Sequence, residues 1–146
     1  MTHQAPHADG GRQGVVAVIV RDSRFLVIQR SRWVRAPLMY CFPGGGLEDG
    51  EDEETALRRE LHEELGVQVL PQRRLWSCWT PSGVALGWWL ADLPRDERLV
   101  ANPREVASWE WMELDALVQQ DDVLETNRQF LSAWRRGAIP FTDAAQ

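Results

Sequence analysis

The sequence predicts an α+β domain with a mixed central sheet and helices packed on its faces. Three observations predict it. Apolar, β-rich runs stand on both sides of residues 50–66. Within that span Leu57, Leu61 and Leu65 recur every four residues, the stripe of an amphipathic helix. Two more helix-like stretches follow the last β-rich run. A length of 146 residues suits one such domain.

The elements follow in order. Residues 1–12 read as a flexible leader, in which His3 and His7 have no apolar neighbour to dock them. The folded domain is expected over 13–137. From Gly14 the runs GVVAVIV and FLVIQR flank RDSR, which reads as a hairpin. A looser stretch, SRWVRAPLMY, leads into CFPGGG. Asp52 is a candidate N-cap and Gly66 a candidate left-handed stop, so the helix is expected over about 53–65. VQVLPQRRLWSCWT and GVALGWWLADL read as long strands joined at Pro81-Ser82-Gly83. A shorter strand ends near Met112. Asp115 to Gln119 and Leu124 to Arg136 read as helices, and residues 138–146 as a loose tail.

Composition removes several functions. A net charge of −6 argues against a duplex nucleic-acid binder. No apolar run is long enough to span a bilayer, and the polar start carries no signal-peptide core. A soluble, cytoplasmic protein is the expectation. All 16 basic residues are arginine. Without lysine, neither a Walker-type phosphate loop nor Schiff-base chemistry is available. Cys41 and Cys78 are isolated and form no CxxC, so they read as packing residues.

The segment GGGLEDGEDEETALRRELHEELGV, residues 44–67, carries the chemistry. On a helix, Glu60 and Glu64 stack on one face, with Glu63 beside them. Clustered carboxylates repel unless a cation joins them, and their hard oxygens suit Mg²⁺ or Mn²⁺. Pro43-Gly44-Gly45-Gly46 lets the backbone approach a ligand closely. On acidity alone, a solvated acidic face is the commoner reading. The spacing changes that. Gly45, five residues, Glu51, seven residues, then Arg59-Glu60-Leu61-His62-Glu63-Glu64-Leu65-Gly66-Val67 fill every fixed position of G-x5-E-x7-R-E-U-x-E-E-x-G-U, where U is aliphatic.

This pattern resembles the box of the Nudix hydrolase family. The resemblance implies a Nudix-type α/β/α sandwich and a metal-dependent pyrophosphohydrolase that cleaves a nucleoside diphosphate linked to another group. By position, Gly45, Glu60, Glu63 and Glu64 become metal ligands for Mg²⁺ or Mn²⁺. Arg59 orients the glutamates, and Glu51 is structural or an outer partner. Glu60 and Glu63, with Arg59, are candidate catalytic residues. So is Glu105, in NPREVASWEW, which is similar to the later-loop acid that many members use as ligand or base.

Substrate contacts are expected from Arg30 and Arg35, whose planar forks match phosphate oxygens. Among the eight tryptophans, Trp33 and Trp111 are the candidates for stacking a base. The leading substrate is a nucleoside triphosphate, plain or oxidised, cut to monophosphate and pyrophosphate. ADP-ribose or another dinucleotide, coenzyme A and a non-catalytic nucleotide sensor are the alternatives. The coenzyme A reading ranks low, because the Arg35-to-Phe42 spacing is one residue short of that signature. The family's habit of dimerising adds a homodimer as an expected partner.

Overall fold

The first two apolar runs do not form one hairpin. In the computed structural model, which describes residues 12–141, β1 (Gln13–Val18) and β3 (Arg24–Arg30) belong to different sheets. Only the short β2 (Val20–Arg21) pairs back onto β3, with Val20 opposite Phe25. The chain changes sheets at Ile19, whose carbonyl still accepts from the Leu26 N–H at 3.0 Å. The hairpin expectation therefore holds at the tip and fails along the arms. A local turn signal cannot report that β1 has better partners elsewhere.

Those partners are β5 (Gly44–Gly46) and β7 (Ala85–Asp92). β1 runs antiparallel to β5 and parallel to β7, and β6 (Leu70–Trp79) completes the sheet beyond β7. The glycine run is thus an edge strand rather than a free loop. The second sheet centres on β3, which pairs with β4 (Tyr40–Cys41) and with β8 (Val106–Glu113).

Alternation along β1 divides the core into two layers. Val15 and Ala17 face the helix α1 (Glu53–Leu65), together with Leu57, Leu61 and Leu65. Val16 and Val18 face the opposite layer, with Trp88 and with Phe130 of α3 (Glu125–Arg135). A strand buried on both faces reads as an unbroken apolar run, which is why GVVAVIV does not alternate. The three leucines of the α1 stripe are each 0% exposed. The short α2 (Leu114–Gln119) buries Leu117 in the α3 layer.

The ends of α1 are set by local chemistry. Asp52 Oδ1 accepts from the Thr55 N–H at 2.8 Å. Gly66 adopts φ 67°, and its N–H donates to the His62 carbonyl. An ordinary side chain is strained in that left-handed conformation. Across the sheet, Glu53 accepts from Trp89 Nε1 at 2.7 Å and pairs with Arg74 at 3.0 Å. These contacts fix the start of the helix on β6 and β7.

Most tryptophans serve packing. Trp88 stacks on Phe130 with ring centroids 4.5 Å apart, and Trp76 meets both edge-on. The tail is not loose where it is described: Ile139 is buried and Phe141 packs on Trp134 at 4.8 Å. Apart from Arg12, the leader with His3 and His7 lies outside the described residues, as do residues 142–146. Among the described residues, no helix is long and apolar enough to cross a membrane.

Candidate metal centre and substrate cleft

One turn of α1 separates Glu60 from Glu64, so both carboxyls leave the same face of the helix. A loop from the other side brings Glu105. One carboxylate oxygen from each of Glu60, Glu64 and Glu105 lies within 4.8 Å of the other two. Glu64 is buried, at 7% exposure, and the Gly44 N–H donates to its Oε1 at 3.1 Å. Burial, then the neighbouring Glu60 charge, pushes its carboxyl well above the ordinary carboxylate range. Glu60 is raised too, chiefly by burial, and Arg59 works against that rise. Three converging acids, partly stripped of water, are costly unless a cation joins them. Their donor set is all hard oxygen, which fits a divalent ion such as Mg²⁺ or Mn²⁺.

Glu63 stands outside this cluster. It is turned about 100° from Glu64 around the helix, and its Oε1 lies 3.3 Å from Arg59 Nη1. Arg59 is the hub of the box. Its Nε and Nη2 fork onto the two oxygens of Glu51 at 2.7 and 2.9 Å. Its Nη1 reaches Glu60 at 3.1 Å, and its Nη2 also donates to the Gly46 carbonyl at 2.9 Å. One guanidinium thus ties the helix, the acidic loop and β5 together. Gly45 faces the same place from the strand. A Cβ there would overlap the Glu60 carboxyl, so only glycine lets β5 and α1 close on each other.

Glu51 accepts from Arg59 and from the Glu48 N–H, which hold its carboxyl down at about 2 instead of the ordinary 4.5. The unfolded chain therefore binds more protons in that interval. The pairing stabilises fully above about pH 4.5 and is lost as pH falls toward 2. Midpoint temperatures of the Glu51→Gln variant should therefore fall less steeply across that window than those of the wild type. Equal slopes would mean that the Glu51–Arg59 pair is not what acid breaks.

Two residues that the sequence reading missed hold Glu105 in place. Ser31 is buried; its hydroxyl donates to the Arg104 carbonyl at 2.7 Å, and its N–H donates to the Glu105 carbonyl at 3.0 Å. Asn102 binds the end of α1: its N–H donates to the Glu64 carbonyl at 2.9 Å and its Nδ2 to the Glu63 carbonyl at 3.2 Å. The Glu105 N–H in turn donates to the Asn102 carbonyl. The loop acid is thereby locked to the helix acids. Loss of an outer-shell partner typically costs about 10–100-fold in metal affinity or activity. Ser31→Ala should fall near the lower end of that range in a Mn²⁺ titration, because the Asn102 contacts remain. The Asn102-Pro103 turn was the sequence signal available for this loop.

A cleft of about 800 Å³ opens beside the cluster. Gly44 and Gly45 line it and also touch Glu64 and Glu60 respectively. Arg12, Arg30 and Arg35 bring positive charge to its wall and Glu48, Asp49 and Glu51 negative charge, while α3 contributes Thr126 and Asn127. Asn127 is buried, and its Oδ1 accepts from the Phe42 N–H at 2.8 Å. Arg30 is oriented by the Arg35 carbonyl, which accepts from its Nε at 2.7 Å. Cys41 also lines the cleft, but burial pushes its thiol up to about 11, so it is an inert wall residue.

The two candidate stacking tryptophans are not in this wall. Trp111 lies on β8 opposite Leu26, with the Arg21 guanidinium over its ring, and packs against the α1 layer. Its ring is half-buried there and does not line the cleft. Trp33 lies on the loop between β3 and β4 and is exposed to solvent. A second cavity, of about 630 Å³, lies at the far end against Arg21, Trp134 and Phe141, with none of the clustered acids in its wall.

Comparison with known proteins agrees with this geometry. The family described as NUDIX domain matches residues 11–134. An RNA pyrophosphohydrolase of Aliivibrio salmonicida is 31% identical over 159 aligned positions, covering 92% of each chain. Nudix hydrolase 25 of Arabidopsis thaliana is 32% identical, covering 72% of this chain and 74% of its own. Among solved structures, a MutT Nudix hydrolase from Burkholderia pseudomallei superposes with a TM-score of 0.66 at 28% identity. It covers 83% of this chain and 95% of that one. The chain belongs to the Nudix family. Its three layers are the Nudix sandwich, and it is a pyrophosphohydrolase.

Proposed function

We propose that this chain cleaves the pyrophosphate from a nucleoside 5′-triphosphate unit and leaves the monophosphate. The observation that carries the reading is the sharing of Gly44 and Gly45 between the acid cluster and the arginine-lined cleft. A phosphate chain bound by Arg30 and Arg35 would run straight toward Glu60 and Glu64. Those two, with Glu105 and the Gly45 carbonyl, are the proposed ligands of Mg²⁺ or Mn²⁺. A divalent ion bound there supplies charge neutralisation for the phosphates and an acidified water. Glu105 would add a ligand or accept the proton of the attacking water. Arg59 holds Glu60 in line, and Glu63 supports Arg59.

A second reading keeps the same bond and changes what bears it. Several similar proteins are named RNA pyrophosphohydrolase, including one from Caulobacter vibrioides that is 31% identical. The triphosphate would then stand at the 5′ end of an RNA.

Product analysis tests the reaction. Wild-type protein with Mg²⁺ or Mn²⁺ would be given nucleoside triphosphates, oxidised triphosphates, ADP-ribose, dinucleoside polyphosphates, coenzyme A and a 5′-triphosphorylated RNA. Pyrophosphate with a monophosphate end supports the proposal. Two monophosphate halves from ADP-ribose, with the triphosphates untouched, would overturn it. Glu105→Gln should lower kcat at saturating metal, and near-wild-type turnover would remove Glu105 from the chemistry.

A further inference from the structure

The loop between β3 and β4 concentrates positive charge in a protein of net charge −6. Arg32 and Arg35 lie on it, and Arg104 abuts it through its carbonyl, which accepts from Ser31. All three are exposed, and among the described residues none of them takes part in an ion pair. Trp33 lies on the same loop at 71% exposure, with the Arg32 guanidinium 4.9 Å from its ring. The loop is ordered by its own bonds. Ser31 Oγ accepts from the Trp33 N–H at 3.2 Å, Arg30 Nε donates to the Arg35 carbonyl, and the Leu38 N–H returns to the Arg30 carbonyl at 3.0 Å.

Leaving a tryptophan in water forgoes its burial, and leaving three arginines unpaired in an acid-rich chain forgoes their partners. Both are relieved by one kind of ligand: a flat base with a phosphate on each side. The location points the same way. Arg35 lines the cleft, and Arg104 is the neighbour of Glu105. The loop therefore borders the substrate wall at Arg35 and the backbone of Glu105 at Ser31.

We propose that Trp33, Arg32 and Arg104 form a subsite for the nucleotide that follows the first, so that the substrate is the 5′ end of a single-stranded RNA. Trp33 stacks the second base, and the two arginines hold the phosphates that flank it. This rests on the triphosphate reading above and adds what lies beyond the first nucleotide. A short single strand asks for only a local basic patch, so the overall negative charge is no obstacle. Sequence-tolerant stacking and backbone contacts are how such strands are commonly bound.

The test compares kcat/KM on a 5′-triphosphorylated RNA pentamer with that on the matching nucleoside triphosphate. Wild type should favour the pentamer. Trp33→Ala should lower the pentamer-to-mononucleotide ratio by about 5- to 150-fold, the span of one lost base stack. Trp33→Phe should restore most of it. Arg104→Ala should reduce the salt slope of pentamer binding by about 0.7, the share of one phosphate contact. An unchanged ratio in Trp33→Ala would overturn the subsite and leave the loop as a surface for a protein partner. If wild type cleaves neither substrate, the triphosphate reading fails by itself. The subsite is then judged by affinity for a 5′-monophosphorylated pentamer against the nucleoside monophosphate, where no difference between wild type and Trp33→Ala would overturn it.

Discussion

Glu64→Gln is expected to abolish metal-dependent turnover while making the metal-free protein more stable. The two effects have one cause. Glu64 is a buried carboxyl beside Glu60 and Glu105, and its proton affinity is raised by burial. Because the folded value exceeds the unfolded one, the metal-free native state loses stability as pH rises from the ordinary carboxylate range through the raised value. Glutamine keeps an oxygen for the Gly44 N–H and removes the charge. A gain of about 1 kcal/mol would appear as roughly 2–4 °C in a chain of this size. The loss of function should be larger. Outer-shell partners alone are worth about 10–100-fold, so losing a ligand should cost at least about 100-fold in kcat/KM. Mg²⁺ should raise the melting temperature of wild type and leave that of Glu64→Gln unmoved. Retained turnover, or an unstable metal-free variant, would mean that Glu64 serves the fold and not an ion.

Arg59→Ala should be strongly destabilising. It strands Glu51 and Glu60, whose side chains are only 9% and 12% exposed, and it frees the Gly46 carbonyl. Removing one partner of a buried pair costs about 3–5 kcal/mol. Arg59 itself is 22% exposed, and water screens part of that, so about 2–4 kcal/mol is expected in urea unfolding. Arg59→Lys should recover little, because an ammonium cannot fork onto Glu51 while also reaching Glu60. A cost below about 1 kcal/mol for Arg59→Ala would show that the carboxylates find water instead, and that the guanidinium does not organise the site.

Helix α1 was legible from sequence to the residue, since its stripe, its Asp52 cap and its Gly66 stop are all local signals. The acid pair Glu60 and Glu64 follows from the helix period alone. The pairing of β1 was not legible. GVVAVIV states that the strand is buried on both faces, but not that β5 and β7, distant in sequence, cover its edges. Ser31 and Asn102 were missed because they act through backbone carbonyls, and nothing in their side chains announces which loop they will meet. The surroundings of the tryptophans were not legible, because they depend on sheet register: opposite Leu26, Trp111 packs toward the α1 layer, whereas Trp33, on a turn, stays in water. The glycine run carries no strand signal of its own, because its strand character comes entirely from β1.

The most direct measurement is a Mn²⁺ titration followed by electron paramagnetic resonance on wild type, Glu60→Gln, Glu64→Gln and Glu105→Gln. Convergence of acids from a helix and a distant loop on one ion predicts that each substitution weakens Mn²⁺ binding by at least about 10-fold. Wild-type affinity in both Glu64→Gln and Glu105→Gln would contradict it, since no ion could then lie where α1 and the Glu105 loop meet.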